Sequence, residues 1–85
     1  MIAKDLIHAK IVELARGLGQ DATGLAFDQK IPGTGYLDSA AIMELILWME
    51  AQFDLLIPQE DLTLANLGTV DAIAQYVQRA AGNAQ

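Results

Sequence analysis

The sequence predicts an all-α protein, an irregular four-helix bundle with a long loop between helices 1 and 2 and a short third helix. Two observations carry this expectation. Apolar residues return at helical spacing in three separate segments. Between the first two of these, the stretch from Gln20 to Leu37 holds Gly24, Pro32, Gly33 and Gly35, which interrupt any regular element.

Each element has its own signal. Ile7, Ile11, Leu14 and Leu18 recur on one face, so an amphipathic helix is expected from Ile2 to Leu18, ended by Gly17 and Gly19. The loop that follows should be pinned to the core by Leu25, Phe27 and Ile31. Loops of this length in small domains often serve a function. Asp38 is a good N-cap, so a second helix should begin at Asp38 or Ser39 and run to Phe53. On a helical wheel Ile42, Leu45, Ile46, Met49 and Phe53 fall within about 100°, which predicts a core stripe centred on Ile42 and Phe53. Trp48 lies on the flank with Ala41 and Gln52 and should pack against a neighbouring helix or loop. Pro58 stops any continuation, and Gln59 to Leu64 is expected to form the short third helix. Thr69 should cap a last helix with the inner face Val70, Ile73, Ala74 and Val77, fraying from Gly82 onward.

The 85 residues, 1–85, fit a single domain. Hydrophobic residues make up 53% of the chain, enough for a core. The net charge of −6, from 11 acidic and 5 basic residues, argues against a nucleic-acid partner, because neutralising phosphates needs clustered Lys and Arg. An acidic surface suits basic protein partners instead. With no Cys, disulfides and thiolate metal sites are excluded. Lys4 and Asp5 come early and no long apolar run follows, so neither a signal peptide nor a membrane span is expected. A cytoplasmic monomer is the resulting expectation.

Several motifs fail. Gly33-Thr34-Gly35 lacks the third Gly and the preceding strand of a dinucleotide fingerprint, and reads as a flexible turn. Asp54, Glu60 and Asp61 do not have calcium-loop spacing and read as solvated acidic surface. His8 has no nucleophile partner and reads as a surface residue on the flank of the first helix. Ser39 remains. It falls in the first turn of the second helix, where free N–H groups and a partial positive charge favour an attached phosphate. Read alone, Asp38 and Ser39 are better explained by helix capping.

The run from Gly35 to Pro58 settles the balance. Leu37-Asp38-Ser39, Glu44-Leu45, Glu50, Phe53-Asp54 and Ile57-Pro58 at these spacings resemble the acyl and peptidyl carrier protein family, most of all its D-alanyl and stand-alone aminoacyl carriers. The resemblance implies a four-helix bundle of acyl-carrier-protein type without catalysis of its own. It implies a 4′-phosphopantetheine arm, moved from coenzyme A to Ser39 by a phosphopantetheinyl transferase that Asp38 helps to orient. Acyl or aminoacyl groups would then ride as thioesters to successive biosynthetic enzymes. Two departures from the family pattern bear on docking. Ala40 stands where a large apolar residue is usual, and the second helix holds just two acids, Glu44 and Glu50. Both weigh against docking onto standard fatty-acid synthesis enzymes.

The expected function is therefore a carrier for a small acyl or aminoacyl group, loaded by an ATP-dependent adenylating ligase or an acyltransferase. The alternatives are a carrier in fatty-acid or polyketide synthesis and a small helical interaction domain without an arm. Large side chains on the second helix should fill the interior and keep the cargo short. Ala40, Met43, Glu44 and Leu47 should form the partner-binding face, with apolar contact dominating.

Overall fold

The computed structural model describes residues 3–83; Ile2, the expected start of the first helix, and the last two residues of the expected tail lie outside them. The order is α1 (Ala3–Gly17), α2 (Ser39–Phe53), a 3₁₀ turn (Gln59–Asp61), α3 (Leu64–Leu67) and α4 (Val70–Asn83). Among the described residues no strand forms. α4 packs against both α1 and α3, and α1 packs against α2.

The core is built from one stripe per long helix. α1 contributes Ile7, Ile11 and Ala15, α2 contributes Ala41, Leu45 and Met49, and α4 contributes Val70, Ile73, Ala74, Tyr76 and Val77. In α1 the helix ends at Gly17, which leaves Leu18 exposed and Leu14 half-buried, with Ala15 taking the inner place. The expected stripe of α2 is rotated: Ile42 is exposed and Phe53 half-buried, whereas Ala41, assigned to the flank, is buried. Trp48 is half-buried and sets its ring edge-to-face on Phe53 of its own helix, 5.7 Å away, while also packing on the core.

The long loop is held rather than slack. Ala22, Leu25 and Ile31 are buried and Phe27 half-buried. The Ile31 N–H donates to Gly68 C=O at 2.7 Å, and the Asp71 N–H donates to Phe27 C=O at 2.9 Å. These bonds tie both ends of the loop's inner half to the α3–α4 junction and satisfy backbone groups that burial would otherwise leave costly. His8 is half-buried, its ring edge-to-face with Phe27 at 5.7 Å, so it serves packing rather than sitting free on the surface.

The third helix differs from its expected position at Gln59 to Leu64. A 3₁₀ turn occupies Gln59–Asp61, and the α-helical turn comes later, at Leu64–Leu67. Thr63 explains the shift: its Oγ1 accepts the Asn66 N–H at 3.2 Å and caps the later start. Gly68 follows α3 because a Cβ there would meet Leu64 C=O at 2.4 Å. Thr69 caps α4 as expected, accepting the Ala72 N–H at 2.9 Å. α4 runs from Val70 to Asn83.

Candidate functional site

Two local devices place Ser39. The first is the turn before it. Thr34 Oγ1 donates to Ile31 C=O at 2.7 Å and accepts the Tyr36 N–H at 3.2 Å, and Gly35 adopts φ 80°, which favours glycine. The segment Gly33-Thr34-Gly35, expected to be a flexible turn, is thus hydrogen-bonded at its centre. It sends Tyr36 and Leu37 to pack on the core and leaves Asp38 at the surface.

The second device is the cap. Asp38 has an extended backbone, φ −95° and ψ −177°, and its Oδ1 accepts the Ala41 N–H at 2.8 Å. Its C=O accepts the Ile42 N–H at 2.9 Å, opening the helix. Asp38 therefore does the capping, and Ser39 is left exposed as the first helical residue. The N–H groups of Ser39 and Ala40 precede the first intrahelical bonds and point outward with the positive end of the helix dipole. An exposed hydroxyl beside such groups fits a phosphodiester well.

The surface around Ser39 is apolar for a helix exposed to water. Met43 is 51% and Leu47 58% exposed, one turn apart, and Ala40 and Glu44 are exposed beside them. The four expected partner-binding residues thus share the exposed side of α2. On its other side α2 faces an apolar pocket of about 230 Å³. Ile42, Ile46 and Met49 form one wall, and Leu62, Leu64 and Leu67 form the wall opposite. The expectation that large side chains fill this interior is corrected. Ile42 is exposed and lines the pocket together with Leu62 and Leu64, which are exposed as well.

Sequence reasoning missed two carboxylates. Glu50 Oε2 accepts the Ile57 N–H at 2.9 Å, which fastens the segment leaving α2 just before Pro58. Asp61, assigned to solvated surface, is half-buried and accepts a hydrogen bond from the Tyr76 hydroxyl at 2.8 Å. Burial, with the Asp61 bond and charge adding to it, pushes the Tyr76 phenol up to about 12. A periodic Tyr on the inner face of α4 was the available signal, since a buried tyrosine hydroxyl usually finds a partner.

Among the described residues no helix is long and apolar enough to cross a membrane, and no cluster of His and acidic side chains is arranged to hold a metal. No curated protein matches the chain. Residues 10–77 match the family described as phosphopantetheine attachment site, a span that runs from the second half of α1 through the whole long loop, α2 and α3 into α4. With an exposed Ser at a capped helix N-terminus inside that span, the chain belongs to this family of carrier domains, which bear a covalent 4′-phosphopantetheine and are generally not catalytic themselves.

Proposed function

We propose that this single domain carries an acyl group, with Ser39 as the point of attachment and Asp38 as a recognition element for the phosphopantetheinyl transferase. The exposed Ser39 hydroxyl at the N-terminus of α2, freed from capping by Asp38, is the observation that carries the reading. The arm, once bound, supplies a terminal thiol that holds the cargo as a thioester. The protein's own residues do the rest: Asp38 keeps the helix start fixed, and α2 offers one face to partners and the other to cargo.

The pocket bears on what is carried. Its lining is nearly all hydrocarbon, with Thr63 as the polar exception. An aminoacyl group would lose hydration there without gaining a partner. An apolar cavity of roughly 150 Å³ holds benzene, so the present one has room for a chain on the order of eight carbons. This favours a short or medium acyl chain over an aminoacyl group, and it revives the alternative of a carrier in fatty-acid or polyketide synthesis. An adenylating ligase or an acyltransferase remains the proposed loading enzyme, in the cytoplasm.

The test is to load the holo protein chemically with acetyl, alanyl and octanoyl groups. Burying even two methylenes is worth about 1.6 kcal/mol. The octanoyl form should therefore melt roughly 6–13 °C above the acetyl form, at about 4–8 °C per kcal/mol for a domain of this size. The alanyl form should match acetyl. Equal melting of all three would remove the pocket from the account.

Partners are proposed to approach the face of Ala40, Met43, Glu44 and Leu47, because any enzyme that receives the arm must meet the helix bearing it. Met43 and Leu47 would supply contact energy and Glu44 would orient a basic partner. Leu47→Ala should lower loading efficiency by the cognate enzyme about tenfold, the loss of an interface residue whose truncation costs somewhat over 1 kcal/mol, with the melting temperature unchanged. Loading at the parental rate would move the docking face elsewhere.

A further inference from the structure

The segment from Gln59 to Leu67 forms the outer wall of the apolar pocket, yet it buries little of itself. Neither the 3₁₀ turn nor α3 contains a fully buried residue, and Leu62 and Leu64 are exposed. Segments with few buried apolar contacts open locally at low cost. Leu67 packs on the core, and the rest of what fastens this segment to α4 is polar. The hydroxyl of Tyr76, a residue only 7% exposed, donates to Asp61 Oδ2 at 2.8 Å. Within the segment Asn66 Nδ2 donates to Asp61 C=O at 3.0 Å, so the Asp61 anchor also holds α3. Arg79 of α4 lies over the Tyr76 ring at 5.9 Å and reaches Asn66 Oδ1 at 3.4 Å. Pro58 and Gly68 bound the segment, one without an N–H and the other without a Cβ.

We propose that the Tyr76–Asp61 hydrogen bond is a positioning contact that fixes the 59–67 wall and so sets the length of acyl chain the pocket admits. The cargo half of this proposal rests on the acyl-carrier reading given above. The geometry separates the two roles. Asp61 and Tyr76 are not among the residues lining the pocket, so they act through Leu62, Leu64 and Leu67, which are. Met49 and Ile73 on the inner side are fully buried and held by the core, so the pocket widens by movement of the outer wall. The high phenol value keeps Tyr76 protonated, and therefore a donor, across the physiological pH range.

Two experiments test it. The first is amide hydrogen exchange on the apo protein for wild type, Tyr76→Phe and Asp61→Asn. Loss of a hydrogen bond of ordinary net strength corresponds to about tenfold in an opening equilibrium. Amides of 62–67 should exchange about tenfold faster in Tyr76→Phe, with α1 and α2 amides within about twofold of wild type. Asp61→Asn keeps an acceptor oxygen and should stay near wild type. Equal acceleration through all helices would make the contact merely structural and overturn the proposal, as would an unchanged 62–67 segment. The second experiment uses holo protein loaded with octanoyl or dodecanoyl and follows thioester cleavage by hydroxylamine. In wild type the octanoyl thioester should be cleaved more slowly than the dodecanoyl one, and Tyr76→Phe should at least halve that difference. An unchanged ratio in the variant would overturn the role in chain length. Equal cleavage of both chains in wild type would overturn the pocket reading, and the cargo half with it, whatever the exchange data show.

Discussion

Ser39→Ala should fold like the parent and take up no phosphopantetheine. The fold is indifferent to this side chain because Ser39 is exposed and the cap hydrogen bond to Ala41 comes from Asp38. Alanine is also the best helix former, so the first turn of α2 loses nothing. A change in melting temperature of more than about 4 °C, the equivalent of 1 kcal/mol in a domain of this size, is not expected. The chemical effect should be total, since the proposed attachment makes the Ser39 hydroxyl the nucleophile. Asp38→Ala is the complementary variant. It removes a cap worth about 1 kcal/mol, so it should melt about 4–8 °C lower and also accept the arm more slowly. Mass gain persisting in Ser39→Ala would place the attachment elsewhere.

Met49→Ala should come close to unfolding the protein, while Ile42→Ala on the same helix should be mild. Met49 is 1% exposed at the centre of the core; Ile42 is 37% exposed at the rim of the pocket. Truncating a fully buried Met costs about 2–5 kcal/mol, because the cavity left behind adds to the lost transfer energy. Domains of this length hold roughly 4–13 kcal/mol in total. Met49→Ala should therefore lower the melting temperature by at least about 10 °C. Ile42→Ala removes a half-hydrated side chain and should cost under about 1.5 kcal/mol. Thermal unfolding of the two variants side by side checks this. Comparable losses would mean that α2 faces the core as the helical wheel predicts, with Ile42 inside.

That contrast shows where the sequence was legible. Helix existence followed from periodicity, and the Asp38 and Thr69 caps followed from side-chain chemistry, because both are local. The face of α2 followed in part: Leu45 and Met49 are buried as the wheel has them, but Ile42 is exposed and Ala41 buried, since apolar residues surround the helix and Glu44, Glu50 and Gln52 are too few to mark the wet side. Ala41 carries little hydrophobic signal, yet it is buried. The third helix slipped because Pro58 announces a stop without saying where the next turn begins; Thr63, as a cap, held that information. The Tyr76–Asp61 contact spans 15 residues of sequence, and no local pattern encodes such a pairing. Ser39, the proposed attachment point, stands on local features for the opposite reason: its motif and its cap lie within a few consecutive residues.

The most direct test of the central claim is to incubate the wild-type apo protein with coenzyme A and a promiscuous phosphopantetheinyl transferase, then map the adduct by fragmentation mass spectrometry. The account predicts a single phosphopantetheine on the peptide that contains Ser39. An adduct on another hydroxyl such as Thr34, or no adduct under conditions that modify a known carrier, would contradict it.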